Sequence, residues 1–284
     1  GDFLRTVSTE DIKDLFASVG GVRDVITAPD GNIYGLPAVF TDDYHMTMRQ
    51  KLWINEVWLD RLGLEMPGTT EELYDVLVAF RDQDANGNGD PSDEIPMTGA
   101  RRHLEDVAMW VMNAFVPAGG PDESGDPRLN SYEFIRDGRL FFSANTDEFR
   151  RGLLYLRRLY DSDLVDIAAF TQERAQIRSL VDGGDATRVG AVASHHPGNF
   201  AAVSDDPASR FREYRALPPV AGPDGERNTP WSSSATVQQG QYVITNRVLD
   251  PDVAIRLADF YYSREFAEIE KGVEGIHWRR TAVG

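Results

Sequence analysis

Oxygen-bearing side chains crowd together in one stretch, Asp84–Pro96, which reads DANGNGDPSDEIP. Asp84, Asn86, Asn88, Asp90, Asp93 and Glu94 surround Gly87 and Gly89, a set suited to holding a hard cation. Calcium takes six to eight oxygen ligands, and an EF-hand loop supplies them from positions 1, 3, 5, 7 and 9, with Gly at 6 and a bidentate Glu at 12. With Asp84 as position 1, Asn86, Asn88, Gly89 and Asp90 fall at 3, 5, 6 and 7, and Asp90 need give only its backbone carbonyl. Position 12 is Ile95, and the acids stand at 10 and 11 as Asp93 and Glu94, so the second half departs from that pattern. Without a cation, Asp84, Asp93 and Glu94 would repel one another. Magnesium, which demands strict octahedral geometry and keeps several waters, fits less well. The alternative is a solvated, glycine-rich turn after a helix. No neighbouring His or spare carboxylate is placed to use a metal-bound water, so a bound ion would be a structural clip and not a catalyst.

Other chemistries are narrowed by what the sequence lacks. It contains no G-x-S-x-G elbow, no H-E-x-x-H and no phosphate loop. With no cysteine among 284 residues, disulfides, thiolate metal sites and cysteine nucleophiles are excluded. The 46 acidic residues leave open a pair of opposed carboxylates, as in a calcium-stabilised glycosidase or lyase. A calcium-dependent adhesion module would require repeats and an all-β pattern, and neither is present. The net charge of −17 argues against nucleic acid and against an anionic membrane surface. No apolar run has the length of a membrane helix, and no signal peptide is seen, so export would need a targeting segment outside this chain. A composition 41% hydrophobic and 10% aromatic supports a folded core, and the length suits two lobes.

These residues must be positioned by an alternation of helices and strands. Thr69 and Glu72 form a capping-box pattern, and Leu73, Val76, Leu77 and Phe80 recur at helical spacing, so an amphipathic helix is expected over 70–82. Asp250-Pro251 starts another, with Val253, Leu257, Phe260 and Tyr261 as its core stripe and Gly272 near its end. Thr146 starts a third, with Phe149, Leu153, Leu156 and Tyr160 as its buried face. Ser8 or Thr9 starts a fourth, carrying Ile12, Leu15, Phe16 and Val19. Strands are expected at DVIT and NIYGLP, joined by a turn at Pro29-Asp30-Gly31, and at 51–55, 188–193, 214–218 and 241–245. The alternation indicates an α/β fold. The Pro-, Gly- and Asp-rich segments 117–130 and 218–231 read as surface or cleft-edge loops.

Residues 52–99, LWINEVWLDRLGLEMPGTTEELYDVLVAFRDQDANGNGDPSDEIPMTG, closely resemble the extracellular solute-binding proteins of bacterial carbohydrate ABC importers, family 1. That family pattern runs from a strand through an aromatic-rich short helix ending in LGL and a capped amphipathic helix to an Asp/Asn/Gly loop before Asp-Glu-Ile-Pro. APDGNIYGLPAVF (28–40), GLLYLRRLYDSDLVD (152–166), VGAVAS (189–194) and YVITNRVLDPDVAIRLADFYYSREFAE (242–268) match further, in order. In the lipoprotein-like and alginate-binding branches the loop holds a structural calcium, which strengthens the case for Ca2+ here. The loop has one extra residue between Asp90 and Asp93 relative to the family's shorter loops. The family's first strand-helix-strand units would precede residue 1 and a further portion would follow residues 274–278, so the resemblance implies a fold incomplete at both ends.

The resemblance implies a two-lobe periplasmic-binding-protein-like fold of type II. Residues 1–45 and 236–284 would form part of one lobe, and 46–235 the other, including the calcium loop 84–94. It also implies a binding protein without enzymatic activity, a monomer that captures a carbohydrate, in particular an oligosaccharide, by hinge closure and presents it to an importer's transmembrane subunits. Its place would be extracellular, as a cell-surface lipoprotein or in a periplasm, touching membrane only through a lipid anchor outside this chain. By position in the family pattern, the cleft residues would be Phe40, Asp42, Asp43 and Tyr44 after GLPAVF, His195 and His196 after VGAVAS, and Trp231, with Trp110 as a further candidate. Each has a plainer reading: Trp110 as core on an apolar helix, the His pair as loop residues, Asp42-Asp43 as a solvated pair.

Overall fold

The computed structural model describes residues 21–39, 50–101, 103–117, 119–120, 132–136, 139–229, 231–232 and 237–270. The expected helix from Ser8 or Thr9 lies outside them. In chain order the main elements are α1 (Val22–Ile26), β1 (Leu36–Val39), β2 (Lys51–Asn55), α2 (Glu56–Leu62), α3 (Thr70–Asp82), β3 (Ile95–Thr98), α4 (Val107–Met112), β4 (Gly119–Gly120), β5 (Glu133–Arg136), β6 (Arg139–Phe142), α5 (Asp147–Asp161), α6 (Arg174–Asp182), β7 (Val189–Ser194), β8 (Tyr214–Leu217), β9 (Trp231–Ser232), β10 (Val237–Tyr242), α7 (Pro251–Tyr262) and α8 (Arg264–Glu270). The chain divides into two compact units, Gly1–Asp42 with Ala235–Gly284, and Asp43–Ser234. Among the described residues no helix is long and apolar enough to cross a membrane.

In the second unit a four-stranded sheet runs β3-β7-β2-β8, with β2 antiparallel to both neighbours and β3 parallel to β7. The α3 helix begins and ends where its sequence signals place it. Thr69 Oγ1 accepts from Glu72 N–H at 3.1 Å, while the Glu72 carboxylate reaches past the cap to Gly68 N–H at 2.7 Å. Leu73, Val76, Leu77 and Phe80 are buried and share a core with Leu52 and Ile54 of β2. Phe80 meets Trp58 of α2 edge-on, with centroids 5.1 Å apart. A Cβ at Gly190 of β7 would lie 2.4 Å from the Phe80 ring, so glycine there lets helix and sheet approach.

The expected face of α5 is rotated. Gly152, Tyr155 and Leu159 are buried, while Leu153 and Tyr160 are 47% and 42% exposed. Gly152 decides this, because a Cβ there would sit 2.7 Å from the Met112 side chain at the end of α4. Tyr155 then packs against Phe115 at 5.5 Å and donates its hydroxyl to the Thr70 carbonyl at 2.5 Å, locking the helix to the start of α3.

The first unit pairs β1 antiparallel to β10 as a two-stranded ribbon. DVIT is not a strand: Val22–Ile26 is helical after Gly21, whose φ of 81° makes the entering turn, and Thr27 alone bridges to Ile33. The turn itself forms where expected, with Gly31 at φ 83° and Ala28 N–H on the Asn32 carbonyl at 2.8 Å. The return strand is Val237–Tyr242 rather than 241–245. Asp250 caps α7 through Asp252 and Val253 N–H, yet its buried residues are Ile255 and Ala258. Val253, Leu257, Phe260 and Tyr261 of the expected stripe are exposed, because the narrow β1–β10 ribbon, with Leu36 against Ala258, covers only one arc of the helix. The helix closes at Ser263, well short of Gly272.

Candidate functional site

The strand directions bring several chain ends to one margin of the second unit's sheet. β3, β7 and β8 finish where β2 begins, with Ser194 opposite Lys51 and Leu217 opposite Leu52. Crevices beyond the carboxyl ends of strands are where open α/β sheets hold ligands. From this margin the chain turns into α4, whose cap Asp106 accepts from Ala108 and Met109 N–H at 2.9 and 3.3 Å. Burial holds the Asp106 carboxyl above the usual carboxylate range, against the pull of those two N–H groups. Gln50 Nε2 donates to the Asp106 carbonyl at 2.6 Å and ties the entry of β2 to this helix.

Between these elements lies a cavity of about 240 Å3. Gln50 and Lys51 line it from β2, Trp110, Asn113 and Ala114 from α4 and its exit, and Ala216 to Val220 from the end of β8, with Asn228 and Thr229 closing it. Asn113 donates Nδ2 to the Met109 carbonyl at 2.8 Å, and Asn228 Nδ2 donates to the Asn113 carbonyl at 3.1 Å, so both amides are oriented by the protein itself. Burial lowers the Lys51 ammonium below the ordinary lysine value. The close wall is set by Gly222, where a Cβ would be 1.7 Å from the Ala114 carbonyl. A planar indole, three amides and a hydroxyl can together cover an apolar ring face and bind its polar substituents.

Trp110 is thus both core and lining: it is 6% exposed, shares the cluster of Leu52 and Phe115, and still borders the cavity. His195 and His196 follow β7 at the same margin but are not among the lining residues; Asn199 Nδ2 lies 3.2 Å from His195 Nδ1, and His196 Nδ1 accepts from Gly198 N–H at 3.0 Å. Trp231 is in β9, paired parallel with Gly119, and its side chain lies outside what is described. Phe40, Asp42, Asp43 and Tyr44 lie outside the described residues. Sequence reasoning missed Gln50, Lys51, Asn113, Asn228 and Thr229. The double proline after YRAL was the available signal for the wall. A wider cavity of about 510 Å3 in the first unit is lined chiefly by Ile33, Leu36, Tyr242, Ile244, Val248 and Ile255 and has no charged lining group.

The oxygen-rich loop is folded on itself. Asp84 Oδ2 accepts from Gly89 N–H at 3.0 Å, Asn86 Oδ1 from Asn88 N–H at 2.8 Å, and Asn88 Oδ1 from Asp90 N–H at 2.7 Å. Gly87 and Gly89, at φ 75° and 89°, supply the left-handed turns that this winding needs. The Asp90 carboxylate is taken by the Ser92 hydroxyl at 2.6 Å, which lowers its pKa, while Asp93 accepts from the amides of Asn86 and Asn88 at 2.8 and 3.1 Å. Two carboxylate oxygens, Asp84 Oδ1 and Glu94 Oε2, are buried with no hydrogen-bond partner. Burial, with the charges of Asp93 and Asp84 adding, raises the Glu94 pKa. Among the described residues no group of three or more His, Cys, Asp or Glu is gathered tightly enough to hold an ion. The donor set, two orphaned carboxylate oxygens beside amide and carbonyl oxygens, suits a hard cation.

The fold class is that of the two-domain, periplasmic-binding-protein-like solute-binding proteins. No family model matches the chain. It is 28% identical over 246 residues to the fructooligosaccharide ABC transporter substrate-binding protein FusA of Streptococcus pneumoniae, covering 85% of this chain and 42% of FusA. It is 25% identical to lipoprotein LipO of Bacillus subtilis, over 72% of this chain and 38% of that one. The structure of FusA in complex with kestose superposes with a TM-score of 0.71 at 25% identity, over 95% of this chain and 52% of FusA. A FusA EF-hand mutant gives 0.71 at 24% identity, over 99% and 54% of the two chains. Alginate-binding protein AlgQ2 without calcium ion gives 0.63 at 25% identity, again over 99% and 54%. The chain thus spans about half or less of the length of these relatives. The relatives it matches are named as carbohydrate ABC transporter substrate-binding and alginate-binding proteins.

Proposed function

We propose that this chain is the substrate-capturing part of a bacterial ABC importer and holds an oligosaccharide. The observation that carries the reading is the Trp110 cavity at the carboxyl ends of β3, β7 and β8, where an indole, oriented amides and a hydroxyl meet. Stacking on a flat ring and satisfying hydroxyls with planar polar groups are what sugar recognition requires. The names of FusA and AlgQ2 support the same class of ligand. In this reading residues 1–45 and 236–284 belong to one lobe and 46–235 to the other. Hinge closure on a sugar that touches both is the state presented to the importer's transmembrane subunits. Phe40, Asp42, Asp43, Tyr44, His195, His196 and Trp231 are proposed to complete the binding surface with Trp110. The protein works as an extracellular or periplasmic monomer, anchored by lipid if at all, and does not turn over its ligand.

The loop 84–94 is proposed to hold a structural Ca2+ through Asp84, Asn86, Asn88, the Asp90 carbonyl, Asp93 and Glu94, neutralising the orphaned oxygens of Asp84 and Glu94. The EF-hand named for the FusA mutant and the calcium named for AlgQ2 support this choice of ion. The ion supplies charge neutralisation alone. A thermal-shift screen of oligosaccharides with and without EGTA, followed by a reducing-end assay, tests both readings. A binder is stabilised by its ligand and leaves the sugar intact. Release of reducing ends would favour a calcium-stabilised glycosidase or lyase instead.

A further inference from the structure

The turn HHPGN that follows β7 holds both of its imidazoles by the same ring nitrogen. His196 caps the tight helical turn Pro197–Asn199: Pro197 has no N–H, and Gly198 N–H donates to His196 Nδ1 at 3.0 Å. A backbone N–H can only donate, so His196 Nδ1 is an acceptor and carries no proton. His195 Nδ1 lies 3.2 Å from Asn199 Nδ2, and what surrounds that amide decides which way it faces. The same Nδ2 is 3.1 Å from Glu105 Oε1 and 3.3 Å from Ser194 Oγ. Glu105 is buried, and Arg174 Nη2 stands 2.9 and 3.1 Å from its two oxygens, which keeps it an ionised carboxylate that can only accept. The Ser194 hydroxyl donates its proton to the His196 carbonyl at 3.3 Å and so turns a lone pair to Asn199. Both neighbours demand the NH2 side of the amide, and His195 Nδ1, facing that NH2, is an acceptor too.

We propose that Asn199, held by Glu105, is a positioning residue that keeps His195 neutral, so that His195 and His196 stand together as two imidazoles protonated on Nε2 alone, a paired donor at the carboxyl margin of the sheet for acceptor oxygens of the ligand. The ligand contact rests on the carbohydrate-binding reading above and deepens it: ring, glycosidic and hydroxyl oxygens of a sugar all accept, and an imidazole N–H reaches them without bringing a charge. The ring centroids are 6.1 Å apart, so a proton added to either ring would also oppose one on the other. Among the described residues, the charged groups of this network are Glu105, which precedes α4, and Arg174 of α6, and they offset each other through their own contact. The amide of Asn199 therefore decides the charge state of His195, as the N–H of Gly198 does for His196.

An NMR titration of the five histidines in the full chain, without ligand, tests the positioning role; the His195 signals are assigned by their loss in His195→Gln. In the wild type both rings should titrate below the ordinary histidine value of about 6.5, and at about pH 8 both should carry their proton on Nε2 alone. Asn199→Ala should raise the His195 value by roughly half to one pH unit, the worth of one hydrogen bond, and leave His196 in place. Asn199→Asp, which sets an acceptor where the donor was, should raise it further. A merely structural role for Asn199 would lower Tm without separating the two rings. A wild-type His195 that titrates at or above the ordinary value overturns the proposal, as does a His195 value that Asn199→Ala leaves unchanged. Calorimetry with raffinose, maltotriose and a wider panel of oligosaccharides tests the donor role. His195→Gln, which keeps a donor near the Nε2 position, should stay within about threefold of the wild type, while His195→Leu should lose roughly tenfold. Equal losses in the two variants overturn the donor role. Absence of heat with the whole panel overturns the carbohydrate reading itself, and the ligand-free titration then still decides the role of Asn199.

Discussion

Removing calcium and removing the charge of Glu94 should have opposite effects on stability. Glu94 Oε2 and Asp84 Oδ1 are buried and unpartnered, and the Asp93 and Asp84 charges act on Glu94 together with its burial. An unsatisfied buried polar atom costs about 1–3 kcal/mol, and for a carboxyl that is only partly buried the lower end, about 1 kcal/mol, applies. Without calcium, Glu94→Gln relieves that cost, since the amide is neutral and its Nε2 can donate toward Asp84. With calcium at a hundredfold excess over its Kd, the wild type gains about 2.7 kcal/mol, most of which the variant forgoes. For a unit of the size of Asp43–Ser234, 1 kcal/mol moves Tm by about 2–4 °C. EGTA should therefore lower the wild-type Tm by roughly 5–11 °C and leave the variant nearly unmoved, so that the order of the two Tm values reverses between calcium and EGTA. Differential scanning fluorimetry reads this directly. The reasoning fails if Glu94→Gln lowers Tm equally in both conditions, or if EGTA does not move the wild type.

Thr69→Ala removes the acceptor for Glu72 N–H and should cost about 1 kcal/mol in urea unfolding with an unchanged m-value. Gly222→Ala would place a Cβ 1.7 Å from the Ala114 carbonyl, forcing the cavity wall apart. It should lower Tm and abolish sugar-induced stabilisation, measured in the same thermal-shift screen. Because the folded-state pKa of Lys51 is depressed, the unfolded chain binds more protons between that value and the ordinary lysine pKa, and stability rises with pH across that window. Lys51→Met should flatten the rise, read as Tm against pH by scanning fluorimetry; an unchanged pH dependence contradicts the burial argument.

What the sequence disclosed, and what it withheld, follows from how each feature is encoded. The α3 helix carries its own cap and a stripe facing a wide sheet, so Leu73, Val76, Leu77 and Phe80 were identifiable from spacing alone. The α5 stripe was equally periodic, but the buried arc was chosen by a neighbour, Met112 packing on Gly152, and period does not record neighbours. On α7 the narrow ribbon of β1 and β10 covers Ile255 and Ala258 and leaves the more apolar arc open. The half-loop Asp84 to Asp90 winds through its own side chains, whose oxygens take backbone N–H groups further along, a path that Gly87 and Gly89 at positive φ permit. Lys51 carries no local signal: it became visible only when the antiparallel pairing of β2 with β7 and β8 set the first residue of β2 beside the cavity.

That pairing also separates the two chemistries. The loop adjoins the beginnings of β3 and β7, where Ile95 N–H donates to the Arg188 carbonyl at 2.7 Å and Arg188 Nε donates to the Asp93 carbonyl at 3.2 Å. The cavity lies past their far ends. β7 is six residues long, and at about 3.3 Å per residue the two places stand roughly 15–20 Å apart along the strands. A Coulombic effect of the ion on a ligand is weak at that distance in the presence of salt. An ion bound in the loop would act on the cavity only through the strands between them, by holding α3 and Arg188 in register with β3. With Gly190 pressed on Phe80, that register is set by packing as well as by the loop. An ion in the proposed loop would therefore secure the frame, while the proposed sugar contacts at Trp110 lie beyond its reach.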